Sequence, residues 1–142
     1  MLQQARDLAL AASILTLAAC VESGDEPRYV SGYTQEEQCR AVISTVMGRD
    51  PLIIHEEPSS ESHLILWYFS PTDGSRQGFK CTVWLNGIAR WGNDDGRWRD
   101  DPSDGKVKLT MTDDDDLKVT ERYSDYSETR RVYTHEQLKS PQ

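Results

Sequence analysis

The apolar positions keep helical spacing from residue 34 to residue 48 and switch to alternation after residue 51. Cys39, Val42 or Ile43, and Val46 form one stripe, which predicts a helix with a single buried face. Thr34 and Glu37 make a T-x-x-E capping box that opens it, and Tyr33 stands where a hydrophobic staple residue would. Gly48 is the predicted C-cap, and Pro51 forbids continuation because it lacks an N–H to donate. Strand signals follow. Leu52 to Glu56 is a short candidate, and His63 to Ser70, HLILWYFS, is apolar on both alternating faces, as in a strand covered on both sides. Pro71 to Gly74 reads as a turn. Phe79 to Leu85 and Ile88 to Trp91 flank Asn86-Gly87, which predicts a hairpin with a two-residue turn. That turn sets Leu85 opposite Ile88 and Trp84 opposite Ala89. Cys81, Val83, Leu85 and Ile88 then share one face, and Trp84 and Trp91 share the other.

Asn93 to Gly105 is a long polar loop, and Lys106 to Thr112 alternates with Val107, Leu109 and Met111 inward. Asp113 to Asp116 is a turn. Leu117 and Val119 join the face of Leu109 and Met111 only if the loop between them has an odd number of residues, because a one-residue slip turns every side chain over. A final turn centred on Asp125-Tyr126 sets Val119 opposite Val132 and Glu121 opposite Arg130. The predicted architecture is α+β: one N-terminal helix packed on a meandering antiparallel sheet of about six or seven strands, open or partly rolled. Residues 34–135 form a single globular domain, and residues 136–142 are expected to fray.

The chain has 142 residues, 37% hydrophobic and 28% charged, with four Trp, six Tyr and two Phe to build a core. Its formal net charge of −8 repels phosphate backbones, which argues against nucleic acid as a partner. The same charge disfavours docking along an anionic bilayer, so membrane contact has to come from something other than a basic patch.

Such a contact is suggested at the N-terminus. Met1 to Asp7 is polar with one cation, Arg6, and Leu8 to Ala19 is apolar or small apart from Ser13 and Thr16. That run is shorter than the roughly 20 apolar residues a spanning helix needs, and it matches the apolar segment of a secretory signal. It ends in Leu17-Ala18-Ala19-Cys20, followed at once by the polar VESGDEPR. Leu, two small residues and Cys resemble the lipobox of bacterial lipoproteins. The resemblance covers residues 1–20 and implies cleavage before Cys20, a diacylglycerol on its sulfur and acylation of the new amino group. Residues 1–19 are then a signal peptide and residues 20–33 a tether. Val21 in place of Asp after the cysteine favours, by the same resemblance, the outer membrane over the inner one, with the domain in the periplasm.

The cysteine count fits this expectation. There are three: Cys20, Cys39 and Cys81. With Cys20 carrying lipid, the other two make a pair in an oxidising compartment. Closing a loop of about 43 residues stabilises a fold by roughly 4 kcal/mol in the chain-entropy model. No C-x-x-C occurs, so neither zinc nor a thioredoxin-like exchange is indicated.

Catalytic signals are weak. The acidic clusters Asp94, Asp95, Asp100, Asp101, Asp104 and Asp113 to Asp116 match no calcium loop and read as solvated turns. His55-Glu56-Glu57 lacks the second histidine of a zinc protease, and His63 and His135 bring no partner pattern. No nucleophile elbow or phosphate loop occurs. No cofactor, no metal and no enzymatic activity are expected. Trp84, Trp91 and Trp98 are the candidate binding surface, since exposed aromatics are enriched where proteins meet partners. The competing reading puts Trp84 and Trp91 in a second small core under the 93–105 loop. The expected function is a lipid-anchored accessory for binding or assembly in the cell envelope, meeting the membrane through acyl chains on Cys20 and an envelope protein as partner. The alternative is a small acidic inhibitor of an exogenous, lysozyme-like hydrolase, drawn to its target by charge.

Overall fold

Thr34 starts the helix as the T-x-x-E motif predicts. Its side chain accepts from the Glu37 amide at 3.1 Å, and the Glu37 carboxylate accepts from the Thr34 amide at 3.3 Å. In the computed structural model, which describes Val30, residues 32–57 and residues 62–140, helix α1 spans Gln35–Met47. Gly48 ends it in the left-handed conformation, φ 63°. Cys39, Val42 and Ile43 are fully buried on its inward stripe. Tyr33 does not act as a staple. Position N4 is Gln38, which is polar, so the Tyr33 ring stacks instead on His135 with centroids 3.9 Å apart.

The residues after Pro51 begin differently from the expected Leu52–Glu56 strand. Pro51–Ile53 is a single 3-10 turn capped by Asp50, whose side chain accepts from the Leu52 amide. Strand β1 is therefore short, His55–Glu57. It is followed by β2 (Leu64–Phe69), β3 (Arg76–Val83), β4 (Ile88–Asn93), β5 (Lys106–Met111), β6 (Leu117–Arg122) and β7 (Glu128–Tyr133). The seven strands lie in sequence order as one open antiparallel meander, with α1 on one face. The fold is the α+β arrangement that the residue pattern predicts.

Three of the hairpins share one loop design. In each, a three-residue loop places its last residue in the left-handed region: Gly87 (φ 82°), Asp115 (φ 62°) and Tyr126 (φ 68°). The closing bonds are Trp84 N–H to Ile88 O, Thr112 N–H to Asp116 O and Tyr123 N–H to Ser127 O. The odd loop length expected at Asp113–Asp116 is what occurs, so Leu109 faces Val119 and Met111 faces Leu117 on the helix side. The other two registers differ from expectation by one residue. Trp84 stands opposite Ile88, and Cys81 opposite Trp91. Val119 stands opposite Arg131, and Val132 faces solvent at 51% exposure. The reason is backbone cost: the type I′ two-residue turn that Asn-Gly favours requires positive φ at both central positions, whereas the three-residue loop requires it at one.

The ends of the domain are also tighter than expected. Val30 and Tyr33, assigned to the tether, are buried. Residues 136–138, expected at the start of a frayed tail, belong with His135 to a helical turn, α2 (His135–Leu138), whose Leu138 is fully buried. Arg40 fastens this end. Its guanidinium, 1% exposed, pairs with Glu56 and donates to the Leu138 carbonyl, to the Ile54 carbonyl and to Ser140 Oγ. Arg131, reaching across from β7, donates to the Ser44 carbonyl at 2.8 Å, which also accepts from the Arg49 amide, and to the Arg49 carbonyl at 3.1 Å, so it ties the end of the helix to the sheet.

Candidate functional site

The helix covers one face of the sheet and leaves the other to solvent. Cys39 and Cys81 join the covered side. Their sulfurs are bonded, with Cα atoms 5.9 Å apart and the two residues 42 positions apart in sequence. The bridge ties the middle of α1 to β3, so the sheet is held as a rigid platform beneath the open face. Cys20 and the lipobox lie outside the described residues.

The three tryptophans singled out by sequence do not form one surface. The three-residue loop at Gly87 puts Trp91 on the helix side, 8% exposed, against Phe79 with ring centroids 6.3 Å apart. Trp84 stays on the open side, 54% exposed, across from Ile88. The common face expected for Trp84 and Trp91 is therefore corrected by the slip in register, and neither belongs to a second small core. Trp98 lies on the open side for a different reason. The 97–99 segment runs beside β4, with a bridge between Gly92 and Trp98 and a 2.7 Å bond from the Arg99 amide to the Trp91 carbonyl. Only a glycine permits this, since a Cβ at Gly92 would stand 2.3 Å from the Arg97 carbonyl oxygen. The Trp98 ring then rests between two cations, the Arg90 guanidinium at 4.4 Å and the Lys80 ammonium at 4.7 Å, and meets His63 edge-on.

A second aromatic group on the open face was not visible as such in the sequence. Trp67 stacks on His55 at 4.5 Å, meets Phe69 at 5.3 Å and carries the Arg76 guanidinium at 5.5 Å. HLILWYFS reads as covered on both sides, yet only Leu66 and Tyr68 are fully enclosed, and Phe69 is 58% exposed. The signal was present in the alternation: Ile65, Trp67 and Phe69 form the set opposite Leu64, Leu66 and Tyr68.

Charge on the molecule is sorted by location. In the loop after β4, Asp100 pairs with Arg90, and Asp104 takes two bonds from Arg97 at 2.8 and 3.0 Å. The Arg97 bonds, more than any other contact, hold the Asp104 carboxyl down at about 2. Arg76 joins Glu57 to Asp94. These acids are internal fasteners. Among the described residues no group of three or more His, Cys, Asp or Glu side chains converges to hold a metal ion. Nor is any described helix long and apolar enough to cross a membrane.

What the arrangement offers chemically is a rigid, uncovered sheet face with aromatic groups at β1–β2, at the β3–β4 tip and over β3–β4. No family model matches the chain, and no curated protein or solved structure does either.

Proposed function

We propose that the chain is a lipid-anchored protein of the bacterial cell envelope that binds or helps assemble a partner and does no chemistry on it. The observation that carries this reading is the Cys39–Cys81 bridge. A bridge of this kind belongs to an oxidising compartment, and it accounts for two of the three cysteines. It leaves Cys20, at the end of a lipobox-like run, as the cysteine available for acylation. Two or three acyl chains give stable anchoring, each buried methylene contributing about 0.8 kcal/mol. The binding role is supported by the open sheet face and its exposed Trp84 and Phe69. Outer-membrane residence, with the domain in the periplasm, follows from the lipobox resemblance and Val21.

The inhibitor reading is less favoured on a specific observation. Asp94, Asp100, Asp101 and Asp104 are paired with Arg76, Arg90 and Arg97 of the same chain, so they are not offered to a basic hydrolase.

Fractionation of cells expressing the full chain tests the anchor. The wild type is expected with the membranes and in the detergent phase, and Cys20→Ala in the soluble fraction or as uncut precursor. Wild-type protein that is cut, soluble and unaffected by the substitution would overturn the reading.

A further inference from the structure

The open face changes character between its two halves. Over β5–β7 the outward side chains include Lys106 and Lys108 on β5, Lys118 and Arg122 on β6, and Arg130 on β7. They line a shallow concavity of about 450 Å³ whose only carboxylate among the described residues is Glu128. Glu128 is already committed, since Arg122 and Arg130 both bond to it. Lys106, Lys108 and Lys118 have no carboxylate partner among the described residues. In a chain of net charge −8 this is a concentrated departure. The arrangement is also unfavourable for stability. Lys106 stands directly opposite Arg122, and like charges facing across strands are destabilising. Protection of a sheet edge does not explain these lysines, because β5 and β6 are interior strands.

We infer that this face of β5–β7 is a docking site for a short acidic segment of a partner polypeptide. Charge complementarity sets the sign of the partner, and the surroundings set its size. Asp113–Asp116 borders the face at one end and Asp125 at the other. Strands of six residues span about 20 Å, and three of them side by side cover about 10 Å. An anionic bilayer or a nucleic-acid duplex is larger than this in every useful orientation and would bring its charges over both acidic loops. A segment of a few extended residues fits between them. Its carboxylates, about 7 Å apart at alternate positions, match the spacing of Lys106 and Lys108 along β5. The Thr110 hydroxyl on the floor has no hydrogen-bond partner among the described residues and is of the right kind to receive a polar chain.

The inference deepens the binding role proposed above but does not depend on the anchor, so membrane fractionation and the following titration fail separately. The full chain, in a neutral detergent, is titrated against a fluorescein-labelled hexa-aspartate peptide by anisotropy. Parallel arms use a hexa-lysine peptide, a short DNA duplex and micelles doped with phosphatidylglycerol. The acidic peptide is expected to bind, to weaken about tenfold between about 0.05 M and about 0.3 M salt, and to lose about tenfold in Lys108→Glu/Lys118→Glu. Lys139→Glu, outside the face, is expected to leave it unchanged. Near-ultraviolet circular dichroism establishes that the charge-reversed variant is folded; if it is not, Lys108→Gln alone is expected to weaken binding several-fold. No peptide binding at about 1 mM would overturn the inference, as would binding indifferent to Lys108 and Lys118. Tighter, face-dependent binding of the duplex or of the anionic micelles would overturn the assignment to a polypeptide.

Discussion

At Asp104, two guanidinium bonds from Arg97 and one from the Asp101 amide, at 3.1 Å, hold a loop that carries Trp98 to the open face. The carboxyl sits at about 2 in the fold against an ordinary value of 3.8, chiefly because of Arg97. A carboxylate lowered on folding contributes stability that is complete above its unfolded value and is lost as pH falls through its folded one. Trp98 emission is therefore expected to hold steady from neutral pH to about 4 and to change between about 4 and about 2. In Asp104→Asn the emission should already be altered at neutral pH, with the acid transition weakened; an unchanged acid profile would contradict the role given to Asp104. Among single residues, Cys39 and Cys81 were legible in the sequence because, of three cysteines, setting Cys20 aside leaves these two to pair. Arg40 was not. Its partners, Glu56 and the Leu138 carbonyl, come from segments that meet it only after folding, and nothing local marks a helix arginine as buried.

The elements show what local signals can and cannot decide. Helix α1 was readable to within a residue, because its cap, stripe and stop are all written within residues 34–48. The seven-strand meander followed from alternation and turn chemistry. Register was harder, since Asn86-Gly87 and Asp125-Tyr126 suit a turn of either two or three residues and the choice moves Trp91 and Val132 to opposite faces. Only at Asp113–Asp116 did apolar residues on both flanking strands impose the odd loop. The shared loop design makes a quantitative prediction. Tyr126 occupies the left-handed region at 84% exposure, so its side chain pays a steric cost with little contact in return. Tyr126→Gly is expected to stabilise the fold by about 0.5–1 kcal/mol, seen as a higher urea midpoint with an unchanged slope. Asp115→Gly should gain less, because Asp tolerates this region better. A lower midpoint for Tyr126→Gly would contradict this account of the loop.

Across the whole molecule, three properties are separated in space. A bridged helix and the buried residues form one side of the sheet, and aromatic groups and lysines occupy the other. Acidic residues gather in the loops at the ends. The net charge of −8 gave no sign of the cationic face, because a sum over the chain hides how charge is distributed. Alternation at Lys106, Lys108 and Lys118 did carry that information once the register of β5 and β6 was known. The proposed anchor, in contrast, rests on residues 1–20 as a linear signal and on the bridge that leaves Cys20 as the third cysteine. Intact mass of the protein extracted from membranes under non-reducing conditions tests both parts at once. The account predicts a chain beginning at Cys20, heavier by diacylglycerol and a further acyl group and lighter by the hydrogens lost in joining Cys39 to Cys81. A full-length chain with no added acyl mass and three free thiols would contradict it.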